Sequence, residues 1–195
     1  MKYMVIAIFF AATIWTGFAQ AKAYENPRIG ILFGASHSVH KQVKLHYKLT
    51  LPNLAAEKFA SGSLVGIQWL AHPAFNLQIL LGGTHQPGDN TWKVSLRPTF
   101  IIKKFFIFCL FNYNVNFYSL FHFIQAGYPL TDYFGLNLAS EGITKFKDIQ
   151  ASWVTIGPSL DIKFGKYVAI SAINMLGVEK GRQYYVFRMY LVLKF

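Results

Sequence analysis

The last eleven residues, Tyr185 to Phe195, read YVFRMYLVLKF. Large apolar side chains fall at Tyr185, Phe187, Met189, Leu191, Leu193 and Phe195, with Arg188, Tyr190 and Lys194 between them. A period of two marks a β-strand with one apolar face and one mixed face. A face this greasy, continued to a terminal aromatic, fits a strand that meets lipid, as in a transmembrane β-barrel.

Composition points the same way. The 195 residues are 53% hydrophobic and 17% aromatic, but only 14% charged. Soluble domains carry about 25% charged residues. One internal stretch, 105–124, is apolar enough to pass for a membrane helix. Within it Asn112, Asn114 and Asn116 alternate with Tyr113, Val115 and Phe117. Amides at every second position give a strand one wet face, whereas on a helix they would spread into lipid. Backbone groups in hydrocarbon must all be paired, so lipid-facing strands imply a closed barrel.

The N-terminal stretch has the grammar of an export signal. Lys2 precedes an apolar run from Met4 to Phe18, and Ala21-Lys22-Ala23 follows as a small-x-small site. This predicts a signal peptide over 1–23, with residues 24–195 as one barrel domain. Export agrees with the single cysteine, Cys109, which has no internal partner for a disulfide. Cys109 shares parity with Ile107 and Phe111 and reads as a small apolar-face residue. The chain has 19 Lys and Arg against 8 Asp and Glu. In an exported, lipid-facing protein that surplus does not point to nucleic acid.

Alternating segments recur along the chain. They cover 28–38, 42–51, 63–72, 75–85, 91–102, 105–117, 148–164, 167–176 and the terminal strand, with 118–147 irregular. Pro98 and Pro158 lie within strands and predict bulges, because proline lacks a ladder donor. The expected fold is all-β: a transmembrane antiparallel up-and-down barrel of 8 strands, with 28–51 as one long strand. The alternative has 10, splitting 28–51 and adding 132–140. Both counts are even, as bacterial barrels with both ends at the periplasmic face require. With eight strands, Pro73-Ala74, Lys103-Lys104 and Gly165-Lys166 serve as short periplasmic turns; with ten, Pro73-Ala74 and Lys103-Lys104 lie outside.

Parity places Lys44, Lys48, Lys93, Arg97, Lys163, Arg188 and Lys194 on the inner wall, with Asp161 as its one assignable carboxylate. A lumen basic cluster of Lys93, Arg97, Asp161, Lys163 and Arg188 follows. Tyrosines, asparagines and water could satisfy it, or it could hold an anion. Lys41 and Lys180 lie where lipopolysaccharide phosphates could be met. The six histidines make no metal clamp: His37 and His40 are three apart and face opposite sides of a strand. No zinc motif, phosphate loop or nucleophile elbow is present, and no cofactor is expected.

Two resemblances add to this. YVFRMYLVLKF resembles the closing strand that Gram-negative outer-membrane proteins present to their assembly machinery. The resemblance implies that Tyr185, Phe187, Met189, Leu191, Leu193 and Phe195 form a barrel-assembly signal. The runs IGPSLDIKFGKYVAISAIN and SLRPTFIIKKFFI resemble strands of the lipid A 3-O-deacylase barrels, eight-stranded esterases of the outer membrane. Their signature is a His-x-Ser-Asn run after an Ala-Ile pair. Here Ala172-Ile173 is followed by Asn174, Met175, Leu176 and Gly177. The histidine position holds Asn174 and the serine position Leu176, so no catalytic residue carries over. Glu179 alone supplies neither nucleophile nor base.

The sequence therefore predicts a monomeric outer-membrane barrel of structural or surface-interaction type. Its partners would be outer-membrane lipids, lipopolysaccharide and the assembly machinery, met chiefly through an extracellular 118–147 stretch. A lipid A-modifying enzyme with a divergent site and a narrow anion channel are the alternatives.

Overall fold

The computed structural model describes residues 28–51, 54, 60–86, 88–149, 152–179 and 182–195. The expected signal peptide lies outside them. The described residues form eleven strands: β1 Arg28–His40, β2 Val43–Leu51, β3 Ser61–His72, β4 Phe75–Gln86, β5 Asp89–Ile102, β6 Phe105–Asn114, β7 Ser119–Pro129, β8 Phe134–Lys145, β9 Trp153–Phe164, β10 Val168–Glu179 and β11 Arg182–Lys194. Each strand pairs antiparallel with the next, and β11 returns to β1 to close a barrel.

Neither eight strands nor ten is correct. Residues 28–51 are a hairpin, with Ser36 opposite His46 and Phe33 opposite Leu49, not one long strand. The stretch 118–147, expected to be irregular or to hold one strand, contains β7 and β8. Their patterns hide them. On β7, Phe121 and Phe123 point inward and His122 outward, inverting the usual contrast. On β8, Ser140 and Gly142 occupy outward positions while Ile143 points in. Alternation fails although pairing is continuous, from Ser119 opposite Lys145 to Pro129 opposite Gly135. The 105–124 stretch is β6 and β7 around a turn, not a helix.

An odd count changes the closure. β1 and β11 run parallel, with Arg28 beside Arg188 and Gly34 beside Lys194. Parallel neighbours ordinarily need a crossover connection; here the rest of the barrel supplies it. The sequence-based inference that both barrel ends share a side therefore fails. One end carries the connections at 41–42, 73–74, 103–104, 130–133 and 165–167 with Phe195, and all are short. The other carries the start of β1, the last residues of β2, β4, β6, β8 and β10, and the first residues of β3, β5, β7, β9 and β11. Pro73-Ala74, Lys103-Lys104 and Gly165-Lys166 share the Phe195 end. Gly165 has φ +71°, a left-handed conformation that glycine adopts at no steric cost.

The prolines produce no bulges. Around Pro98, pairs Leu96–Phe111 and Thr99–Phe108 keep one register. Around Pro158, Leu176–Ile156 and Ile173–Ser159 do the same. The ladder skips two positions and resumes, which loses hydrogen bonds without shifting the strands.

The outer wall is apolar and open. Val65, Ile67, Trp69, Ile79, Leu81, Leu96, Leu138 and Ile156 are all exposed. So much contiguous apolar surface has no place in water, and it is the face a membrane barrel turns to lipid. The inner wall is filled. Ala139, Ile173, Met175 and Val186 are buried together, with Phe123 and Tyr190 packed against them.

Candidate lumen site

Hydrogen bonds between strands that are not neighbours locate the inner wall, since such side chains converge only inside the curvature. On β2, Lys48 Nζ donates to Gln78 Oε1 of β4 at 2.6 Å. On β7, Gln125 Nε2 donates to Ser159 Oγ of β9 at 3.2 Å. From β11, Arg188 Nε donates to Glu141 Oε1 of β8 at 3.0 Å. The polar lumen falls into two unlike arcs.

The arc over β2 to β5 is basic. Arg97 is buried, and its Nε donates to Ser95 Oγ at 2.8 Å. Arg97 lies opposite Gln78 in the β4–β5 register, and Gln78 holds Lys48. Lys48 also experiences the like charges of Arg97 and Lys194. His46 Nε2 and Gln68 Oε1 are 2.6 Å apart, and Gln68 Nε2 donates to Asn76 Oδ1 at 3.1 Å. Lys93 is two residues along the same face from Ser95. None of the salt bridges found among the described residues involves a carboxylate on this arc. An amide carries Lys48 and a hydroxyl carries Arg97, leaving their positive charge uncompensated.

The arc over β7 to β9 holds the carboxylates. Asp161 Oδ2 accepts from Asn137 Nδ2 at 2.9 Å and Gln125 Nε2 at 3.3 Å. Gly127 makes room for this arrangement: a Cβ there would run into the Asn137 side chain. Glu141 is buried against Arg188, whose Nη2 lies 2.9 Å from its Oε1. Burying both charges is tolerable because the pair is close and hydrogen-bonded.

The expected cluster is thus divided rather than gathered. Lys93 and Arg97 lie on the basic arc, Arg188 is tied to Glu141, and Asp161 is held by amides. Lys163 sits at the Phe195 end, where it lines a cavity of about 230 Å³ with Lys166 and Lys194. Glu141 is the residue that sequence reasoning missed. It falls in the stretch that reads as irregular, where alternation assigns no parity; its pairing with Phe123 turns it inward. Of the terminal pattern, Tyr185, Phe187, Met189, Leu191 and Leu193 share the outer face of β11, and Phe195 directly follows the strand. Leu191 lies opposite Ile170, and Tyr185 opposite Leu176. Cys109, opposite Ile124 on the outer wall, is a free thiol.

No protein-family model matches this chain, and no curated protein does. A solved structure does: the KdgM porin, with a TM-score of 0.55. The chain shares the fold of a porin barrel. The superposition covers 78% of this chain and 85% of that one at 10% identity, so the likeness extends to fold and no further. The expected deacylase pattern finds no support in these comparisons. Among the described residues, the side-chain hydrogen bonds found for histidines join Gln68, Asn90 and the backbone amides of Gln42 and Ala74, not a serine.

Proposed function

We propose that this chain is an outer-membrane barrel whose lumen is a narrow, low-conductance path preferring anions. The observation that carries the proposal is the basic arc of Lys48, Lys93 and Arg97, on which Gln78 holds Lys48 and Ser95 holds Arg97, neither being a carboxylate. An uncompensated positive wall in a confined, poorly solvated space attracts anions and repels cations. On the opposite arc Glu141 is paired with Arg188, and Asp161, held by two neutral amides, sets one negative charge against the three cations. The porin fold supports the reading, and the exposed apolar wall supports the location.

The test is conductance in planar bilayers under a potassium chloride gradient. A small conductance with a reversal potential shifted toward chloride is expected. A cation-selective current would overturn the proposal.

A second reading, a closed barrel of structural or surface-interaction type, is favoured by the packing of Ile173, Met175, Val186, Phe123 and Tyr190 across the interior. Its weakness is that 118–147, the stretch expected to meet lipopolysaccharide or a partner, is mostly strand. Absence of any current from folded protein would favour it.

A further inference from the structure

The outer wall carries an open dent. Phe105, Tyr128, Leu136 and Leu138 stand around a cavity of about 410 Å³ whose floor includes Ala126 and Pro158. The register explains it. Ala126 lies opposite Ile107 and Leu138, and Leu138 opposite Pro158. Two small side chains thus share one cross-strand row with the larger Ile107 and Leu138. Phe105, Tyr128, Leu136 and Leu138 are all exposed, so the dent opens to the surroundings. Its volume falls in the range of small-molecule sites.

The dent has a direction. Phe105, Tyr128 and Leu136 lie within three residues of the Phe195-end turns, whereas Ala126, Leu138 and Pro158 lie deeper along their strands. It therefore runs from the rim toward the barrel middle, along the path of an acyl chain. At the rim, Phe105 directly follows the turn Lys103-Lys104, and both lysines are exposed. The neighbouring turn contributes one exposed acid, Asp132.

We infer that this groove binds an anionic glycerophospholipid, with an acyl chain against Ala126 and Pro158 and the phosphate at Lys103 and Lys104. Lysine is a point-charge partner for phosphate, and basic residues at a membrane surface attract anionic headgroups. The inference rests on the membrane-barrel reading. With the short-turn end facing the periplasm, the groove opens to the inner leaflet, where a glycerophospholipid and not lipopolysaccharide is the occupant.

The test uses purified full-length protein in detergent, phosphatidylglycerol and phosphatidylcholine of equal chain length, and bound lipid counted by native mass spectrometry. Phosphatidylglycerol should be retained roughly tenfold or more over phosphatidylcholine, the preference two lysines can supply. Ala126→Phe should abolish retention of both, with Ala126→Leu as the milder variant if the first fails to fold. Lys103→Asn with Lys104→Gln should keep the chain and lose the preference. Equal retention of the two lipids by the unaltered protein, undiminished retention by the Ala126 variants, or lipid A binding more tightly than phosphatidylglycerol would each overturn the inference. Heat-modifiable migration is read on every sample. Its absence in the unaltered protein would sink the membrane-barrel reading itself, whereas its presence with no lipid preference sinks only the groove.

Discussion

Arg188 of β11 and Glu141 of β8 meet inside the barrel through two contacts to one carboxylate oxygen, Nε at 3.0 Å and Nη2 at 2.9 Å. Both side chains are 3% exposed, so each depends on the other for compensation. The pair ties wall segments separated by two intervening strands.

Removing one partner should be far worse than removing both. Glu141→Ala leaves a buried guanidinium without its carboxylate and is expected to cost about 3–5 kcal/mol. Glu141→Leu combined with Arg188→Met should recover most of that loss. The temperature at which the folded band disappears in heat-modifiable electrophoresis measures both. A double variant no more stable than Glu141→Ala would show that the pair is not the source of the cost.

The Gly127 position should be intolerant for a reason that lies on the neighbouring strand. A Cβ at Gly127 collides with Asn137, which donates to Asp161. Gly127→Ala is expected to destabilise by about 1–3 kcal/mol through overpacking. Adding Asn137→Ala should relieve the clash. Urea or heat midpoints of the three variants decide it, and an additive double variant would refute the coupling.

The parallel closure can be tested by cross-linking. Ile31 lies beside Leu191, so Ile31→Cys with Leu191→Cys, in a background lacking Cys109, should form a disulfide on oxidation. Ile31→Cys with Phe187→Cys shifts the register by four residues, about 13 Å along a strand, and should not. A reversed result would mean a different register.

Charge on the basic arc should set ion preference. Arg97→Gln and Lys48→Gln should each move the reversal potential toward zero, and the double variant further. Conductance should change little, because neither variant opens the lumen. An unchanged reversal potential in the double variant would remove the basic arc as the selectivity element.

Opening the packed interior is the complementary experiment. Ile173→Ala removes a buried side chain from the cluster with Met175 and Val186. A large-to-small change of this kind costs about 2–5 kcal/mol. It should also raise single-channel conductance, measured on protein that retains its heat-modifiable band. A lower conductance would show that the cluster does not obstruct the path.

The terminal strand and most of the others were legible because their two faces meet different solvents. Leu45, Tyr47 and Leu49 alternate with His46 and Lys48, and the structure places β2 there. β7 and β8 were illegible for the converse reason. Their inner positions include Phe121, Phe123 and Ile143, so both faces look alike. With those two strands unread, Glu141 had no parity; the even count came instead from merging 28–38 with 42–51, which the structure separates into β1 and β2.

Sequence alone determined the class of solvent around this chain and the side on which Lys48, Lys93, Arg97 and Arg188 stand. Both follow from the two-residue period of a strand, which is local. Tertiary structure decided the rest: eleven strands among the described residues, a parallel seam between Arg28–Gly34 and Arg188–Lys194, the Glu141–Arg188 pair, and the separation of a basic arc from a carboxylate arc. These depend on which strand lies beside which and across from which. Closing the sheet fixes those relations between residues as far apart as β1 and β11, and no local periodicity encodes them.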